Sequence, residues 1–404
     1  MNQALSAALL LDPKVIDDPY PFYRELHRQA PVWHIPGTEV FAVSSFDLIA
    51  EAAGRVEDFS SNMRCLLYRD EQGAPARLSF GSAGVQALAT ADPPMHTLHK
   101  RTVFPEFVAK RMTLLQPEIL DLAVQCVQRS LDKRNVDFMT EIGNVVPITM
   151  ISRLIGFRNS DLKLLLQAAF DSTELLGSTV TLQRLQELVG RSGAIQAWIG
   201  EQLATAANEP SEDILGSIAE GVKSKALSDH DGAVILHTLL SAGGESTTSL
   251  LGNSVRMLAE DQDLQQRLRE QPDLIPNFVE EALRLESPFR FLMRSVTKDT
   301  TLGGVDIPND ATLLMMWGAA NRDATAFENP DKIVLERPRR HVTFGKGIHN
   351  CVGAPLARME GRTVLTVLLE RTSSITLDSD QPPKWVNSLL VRRHDQLPLR
   401  LTPR

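Results

Sequence analysis

A single cysteine stands in a glycine-rich loop, Phe344-Gly-Lys-Gly-Ile-His-Asn-Cys351-Val-Gly-Ala354, and a helix-like segment follows at once. Glycines at 345, 347 and 353 let the backbone turn sharply and approach a flat ligand where a Cβ would collide. A helix beginning just after Cys351 turns N–H groups and a partial positive charge toward the sulfur, which favours thiolate over thiol. The loop therefore reads as a holder for an anionic sulfur ligand. Read without its neighbours, a lone cysteine is more often a small buried hydrophobe.

The elements around this loop carry three further patterns. From Ser228 to Glu260 the chain runs without proline behind the capping residues Ser228 and Asp229, and as a helix would extend about 50 Å. Its middle, Ala242-Gly243-Gly244-Glu245-Ser246-Thr247-Thr248, crowds poor helix formers together, and each glycine costs roughly 1 kcal/mol relative to alanine. A local distortion is expected there, either a kink with Ser and Thr bonding back to carbonyls or a functional groove. Glu281 and Arg284 lie three apart and share one helix face, which read singly is a surface pair. His96 and Lys100, at i and i+4, also share a face.

The string F-G-x-G-x-H-x-C-x-G-x-x-L-A-R-x-E from Phe344 to Glu360 resembles the haem-binding loop of the cytochrome P450 superfamily, in which a cysteine thiolate is the proximal ligand of haem iron. The Ala242–Thr247 run resembles the oxygen-binding groove of that superfamily's central helix, A-G-x-[ED]-T-T, with Ser246 where threonine is usual. Glu281 and Arg284 match its E-x-x-R helix, and Arg337 falls where the third partner of that network sits. The resemblance extends from about Asp12 to the C-terminus.

It implies haem b, bound between the long central helix and the helix after the Cys loop, with Cys351 as metal ligand. Phe344, Gly345 and Gly353 would shape the proximal loop, and His96, Lys100, Arg294 and His349 would contact the propionates. Lysine at 100 replaces the usual arginine, keeping the charge and losing the bidentate fork. Gly243 and Gly244 would leave room for dioxygen, and Glu245 with Ser246 would relay protons. Serine keeps the hydroxyl but lacks the methyl that restricts its rotamers. Glu281, Arg284 and Arg337 would be structural.

Thiolate donation to iron favours O–O cleavage, so the resemblance implies a monooxygenase that inserts one atom of O2 into an organic substrate. A peroxide-driven haem-thiolate enzyme and a haem sensor with little turnover are the alternatives. The acid–alcohol pair speaks against the first, and the nearly intact groove against the second. Electrons are expected from a ferredoxin and its NAD(P)H-dependent reductase, docked on cations such as Arg101, Arg339, Arg340, Lys346 and Arg358. By family topology the substrate pocket draws on Leu66, Leu67, Leu78, Phe80, Leu88, Phe289, Phe291, Leu292, Leu389 and Leu390. That makes it mostly apolar and suited to a hydrophobic small molecule. Arg290 lies among them, either facing a substrate carboxylate or pairing elsewhere.

Composition agrees with a globular enzyme. Of 404 residues, 43% are hydrophobic and 23% charged, ordinary for a chain with a sizeable core. No linker, charge block or repeat divides residues 1–404, so one domain is expected. It should be mainly α with small β-sheets: helices over 85–285 and 352–371, and strands over 30–45, 294–316 and 375–404. The stretches 110–155, 161–206 and 228–285 repeat apolar residues at helical spacing. Three cysteines, Cys65, Cys126 and Cys351, suggest neither a disulfide framework nor a zinc site and fit a reducing cytoplasm. The apolar start from Ala4 to Leu11 is too short for a membrane span and lacks a signal peptide's basic residues. A net charge of −8 argues against nucleic acid as a partner.

Overall fold

The helix from Asp229 to Glu260 forms the axis of the molecule in the computed structural model, which describes residues 5–81, 86–133 and 135–404. It starts in a capping box: Ser228 Oγ accepts from Asp231 N at 3.0 Å, and the Asp231 carboxylate accepts from Ser228 N at 3.1 Å. Contrary to the sequence expectation, it runs through Gly243 and Gly244 unbroken. The two glycines admit the helix Val145–Ile155 at close range. A Cβ on Gly243 would lie 2.8 Å from Ile151 Cγ1, and one on Gly244 would lie 3.2 Å from Ile148 Cδ1. Close apolar packing thus offsets their poor helix propensity. Ser246 and Ser249 bond back to Ala242 O and Glu245 O at 2.6 and 3.0 Å without interrupting the helix.

Helices Ala109–Lys133, Ile275–Leu285 and Ala354–Arg371 complete the main core around this axis, with Leu250, Val255, Val279, Val364 and Leu365 buried between them. Helices Leu162–Leu176 and Leu182–Asn208 form a roof over one end of the central helix. The molecule is mainly helical, and no helix among the described residues is long and apolar enough to cross a membrane.

The principal sheet has five strands in the order Val32–His34, Val40–Val43, Thr312–Met315, Leu292–Val296, Phe59–Ser60. Only the Val40–Val43 and Thr312–Met315 pair is parallel, with Thr312 opposite Val40. Its strands fall mostly within the segments expected from turn-punctuated apolar runs.

Two β features escape local pattern. The hairpin Cys65–Arg69/Pro75–Ser79 is turned by Asp70, whose Oδ1 accepts from Gln72 N and Ala74 N. The stretch 110–155, expected to be helical, is broken by the strand Asn135–Asp137. Val136 pairs with Leu399 of the C-terminal strand Pro398–Pro403, which pairs in turn with Thr372–Leu377. A partner so far along the chain supplies hydrogen bonds that no local periodicity announces.

Candidate functional site

The Cys loop closes by two backbone bonds, Gly345 N to Val342 O at 2.8 Å and Cys351 N to Phe344 O at 2.9 Å. Gly345 and Gly347 have φ of +72° and +69°, the left-handed region where an L side chain is strained. Space also demands glycine at 347, where a Cβ would lie 3.0 Å from Ala53 O. The loop delivers Cys351 to the start of Ala354–Arg371, enclosed by protein but open to an internal cavity. Burial raises the thiol pKa and outweighs the opposing hydrogen bonds from the N–H groups of Gly353 and Ala354. A metal ion coordinated to the sulfur would favour the thiolate.

That cavity, of about 820 Å³, separates the Cys loop from the central helix. Cys351, Phe344, Gly345 and Gly353 line one wall, and Gly243, Ser246, Thr247 and Leu250 line the wall opposite. One edge carries His96, Lys100, Arg294 and His349. The His96 and His349 rings lie 4.2 Å apart, and His349 Nε2 is buried without a partner. Burial lowers the His349 pKa to about 3, helped by Arg294, His96 and Lys100. Buried Arg294 donates Nη1–H to Met293 O at 2.8 Å, makes no ion pair among the described residues, and has its pKa lowered by burial to about 10. Lys100 is less free than sequence suggested, since its Nζ donates to Ile348 O at 2.6 Å and so fastens the Cys loop. Buried cationic and imidazole donors with no carboxylate bound to them suit an anionic ligand edge.

Acid and alcohol, adjacent in sequence, point to different sides of the central helix. Ser246 faces the cavity. Glu245 is 1% exposed, does not line the cavity, and accepts from Arg393 Nε at 2.7 Å and Thr173 Oγ1 at 3.2 Å. Burial raises its pKa against the pull of Arg393. Gly244 likewise turns toward Ile148, away from the cavity.

Glu281 and Arg284 form a buried bidentate pair at 2.7 and 2.9 Å, and Arg337 Nε reaches Glu281 at 3.2 Å. Arg284 also donates to the carbonyls of Asn321, Pro330 and Lys332, fixing the segment that leads to the Cys loop. Burial pushes Glu281 up, but its hydrogen bonds from Arg284 prevail and hold it below the usual carboxylate value. Sequence reasoning missed the neighbouring Glu280. It binds Arg358 at 2.6 and 2.8 Å and His341 at 3.1 Å, tying together three elements around the loop.

The expected pocket residues divide. Leu88, Phe289, Leu292 and Leu390 line the cavity. Leu66 packs instead with Val180, Leu185 and Leu188, with Leu78 against that group. Leu67, Phe291 and Leu389 join the cluster around Leu10 and Trp33, and Phe80 is exposed. Arg290 is buried away from the cavity, donating to the carbonyls of Leu389, Ile16 and Ser388; its guanidinium is consumed by backbone. The roof helices supply lining that went unrecognised, including Thr173, Leu176, Leu188 and Ile195. Their helical periodicity was visible, but not which face would meet the cavity. Among the surface cations, Arg358 is engaged by Glu280, Arg339 by Asn277, and Lys346 and Arg340 lie over the Phe46 ring, while Arg101 is exposed.

A mainly helical fold whose central helix faces a cysteine loop across an apolar cavity defines a haem-thiolate protein. The chain belongs to the cytochrome P450 family, whose model matches residues 22–398. It is a cytochrome P450 monooxygenase, and its cofactor is haem b. It is 36% identical to cytochrome P450 144 of Mycobacterium tuberculosis over 99% of this chain and 92% of that one. It is 30% identical to 6-deoxyerythronolide B hydroxylase of Saccharopolyspora erythraea over 95% and 96% of the two chains. The crystal structure of CYP109E1 from Bacillus megaterium in complex with testosterone superposes with a TM-score of 0.86 at 26% identity, covering 96% of this chain and 99% of that one. The residues present fit haem: a sulfur open to the cavity, and an edge of cationic and imidazole side chains, free of bound carboxylates, for the propionates.

Proposed function

We propose that this enzyme hydroxylates an apolar small molecule held between the central helix and the roof helices, with Cys351 as the iron ligand. The chain would work as one unit, in the cytoplasm, with electrons from a ferredoxin and its NAD(P)H-dependent reductase. The observation that carries the reading is the position of Cys351, open to the cavity and facing Gly243 and Ser246 across it. Haem held by Cys351 would supply O2 activation, in which two electrons from the redox partners and two protons would let one oxygen atom enter the substrate and the other leave as water.

The chain's own residues position that chemistry. His96, Arg294 and His349 offer donors to the propionates, and Lys100 adds charge while holding Ile348 O. Phe344, Gly345 and Gly353 shape the wall beside the sulfur. Gly243 lines the opposite wall, where its missing side chain admits Ile151, and Ser246 Oγ presents a hydroxyl there, its hydrogen parked on Ala242 O at 2.6 Å. Glu245 is the acid that resupplies this hydroxyl, and it must exchange Arg393 for water or Ser246 to do so. Phe289, Leu292 and Leu390 press an apolar substrate toward that point and exclude water. Arg101, Arg339, Arg340 and Lys346 offer a partly cationic face to an acidic ferredoxin.

The test is the absorption spectrum of the dithionite-reduced protein under carbon monoxide. A strongly red-shifted Soret band that disappears in Cys351→Ala is expected. No bound haem, or a band typical of neutral histidine or thiol ligation, would overturn the assignment of Cys351. Comparing NADH-driven turnover through ferredoxin and reductase with turnover on peroxide alone then decides the electron source, and peroxide sufficing would overturn the redox partners.

A further inference from the structure

The cavity is largely apolar, but its distal end carries a polar pair on the central helix that haem and oxygen do not use. His237 and Ser241 are one turn apart, share a face, and both line the cavity. Ser241 is 8% exposed, and its Oγ has no hydrogen-bond partner among the described residues. A helical serine ordinarily bonds back to the carbonyl four residues earlier; here Ser246, Ser249 and Ser254 do so and Ser241 does not. A buried hydroxyl left unbonded is costly unless something in the cavity meets it.

The tautomer of His237 follows from its neighbour. Ser172 Oγ lies 2.8 Å from Ala168 O and 2.9 Å from His237 Nε2. A serine hydroxyl has one hydrogen, and the bond to Ala168 O uses it. With that assignment Nε2 carries the ring hydrogen and donates to Ser172, which leaves Nδ1 a bare acceptor. Burial lowers the His237 pKa, so the ring stays neutral. The nearby Asp171 and Arg191 neutralise each other at 2.9 Å and add no net charge to this end.

We infer that His237 and Ser241 form an anchor for a substrate hydroxyl, which donates to the imidazole acceptor and accepts from the serine. The inference rests on the proposed function, since it names the substrate class of that same cavity: an uncharged amphiphile with an apolar body and one hydroxyl. Helical rise fixes the reach. Ser241 and His237 stand about 7.5 and 13.5 Å along the axis from Ser246. The oxidised carbon therefore lies roughly 8–13 Å from the anchoring oxygen.

The test uses n-alkan-1-ols from octanol to hexadecanol and their methyl ethers, titrated calorimetrically into the haem-loaded enzyme. An ether still accepts a hydrogen bond but cannot donate one. At the best chain length the alcohol is expected to bind about tenfold more tightly than its ether. His237→Leu should erase this preference, and Ser241→Ala should weaken alcohol and ether alike. Equal binding of alcohol and ether by the wild type, an unchanged preference in His237→Leu, unchanged affinities in Ser241→Ala, or no measurable binding of any alcohol would each overturn the anchor. The carbon monoxide spectrum reads Cys351 ligation independently, so failure of the anchor and failure of the haem-thiolate reading are told apart.

Discussion

Arg393 Nε donates to Glu245 Oε1 at 2.7 Å, joining the central helix to the C-terminal segment beneath the roof helices. Both side chains are buried, and the guanidinium also lies 3.8 Å from the centre of the Phe170 ring. The acid beside Ser246 is thus held by a cation from the far end of the chain. Removing the cation strands a buried carboxylate, which costs about 3–5 kcal/mol where no solvent can enter. Arg393→Leu should lower the denaturation midpoint accordingly. Adding Glu245→Gln should recover part of the loss, a coupling that a double-mutant cycle measures.

On the proposed function, Ser246 should bear on electron use rather than on stability. Its hydroxyl bonds Ala242 O, and β-branching would confine that rotamer. Ser246→Thr is expected to raise the fraction of NADH oxidised that appears as product. Ser246→Ala should lower it several-fold with the carbon monoxide spectrum unchanged. Product yield and peroxide release per NADH provide the readout.

The pair Glu281–Arg284 is 5% and 1% exposed at its side chains. Glu281→Gln removes one charge and leaves Arg284 buried against carbonyls alone. A loss of about 3–5 kcal/mol is expected, as for other buried pairs broken on one side. Because Arg284 braces the segment before the Cys loop, the haem content of the purified variant should fall as well.

Glu360 gives a pH dependence whose sign is fixed. Its side chain is 1% exposed, Oε2 has no partner, and burial raises its pKa from the ordinary 4.5 to about 8. Between those values the unfolded chain ionises while the folded one keeps its proton. The group's contribution is therefore fully present below pH 4.5 and lost as pH rises through 8, a change on the order of a few kcal/mol. Glu360→Gln should remove this slope. Thermal midpoints should show the variant gaining on wild type at pH 8 and not at pH 5.

The features legible in the sequence are those set by short-range geometry. Glycines at 345 and 347 report a backbone that must enter the left-handed region around a cysteine loop. A three-residue spacing puts Glu281 against Arg284 on any helix, and an uninterrupted apolar repeat makes the segment after Ser228 a long helix. Long-range contacts decided the rest. Whether Gly243 and Gly244 distort the helix depended on how closely Ile148 and Ile151 approach. Whether Arg290 faces a substrate or backbone depended on the carbonyls of Ile16, Ser388 and Leu389. The strand at Asn135–Asp137 exists because the C-terminal strand lies beside it, and Glu245 meets Arg393 only once the C-terminal segment packs against the central helix. Residue type and spacing determine what a segment can form and which chemistry it can support. Which face is buried, and what a charge meets there, is a property of the partners, and only the packed structure supplies them.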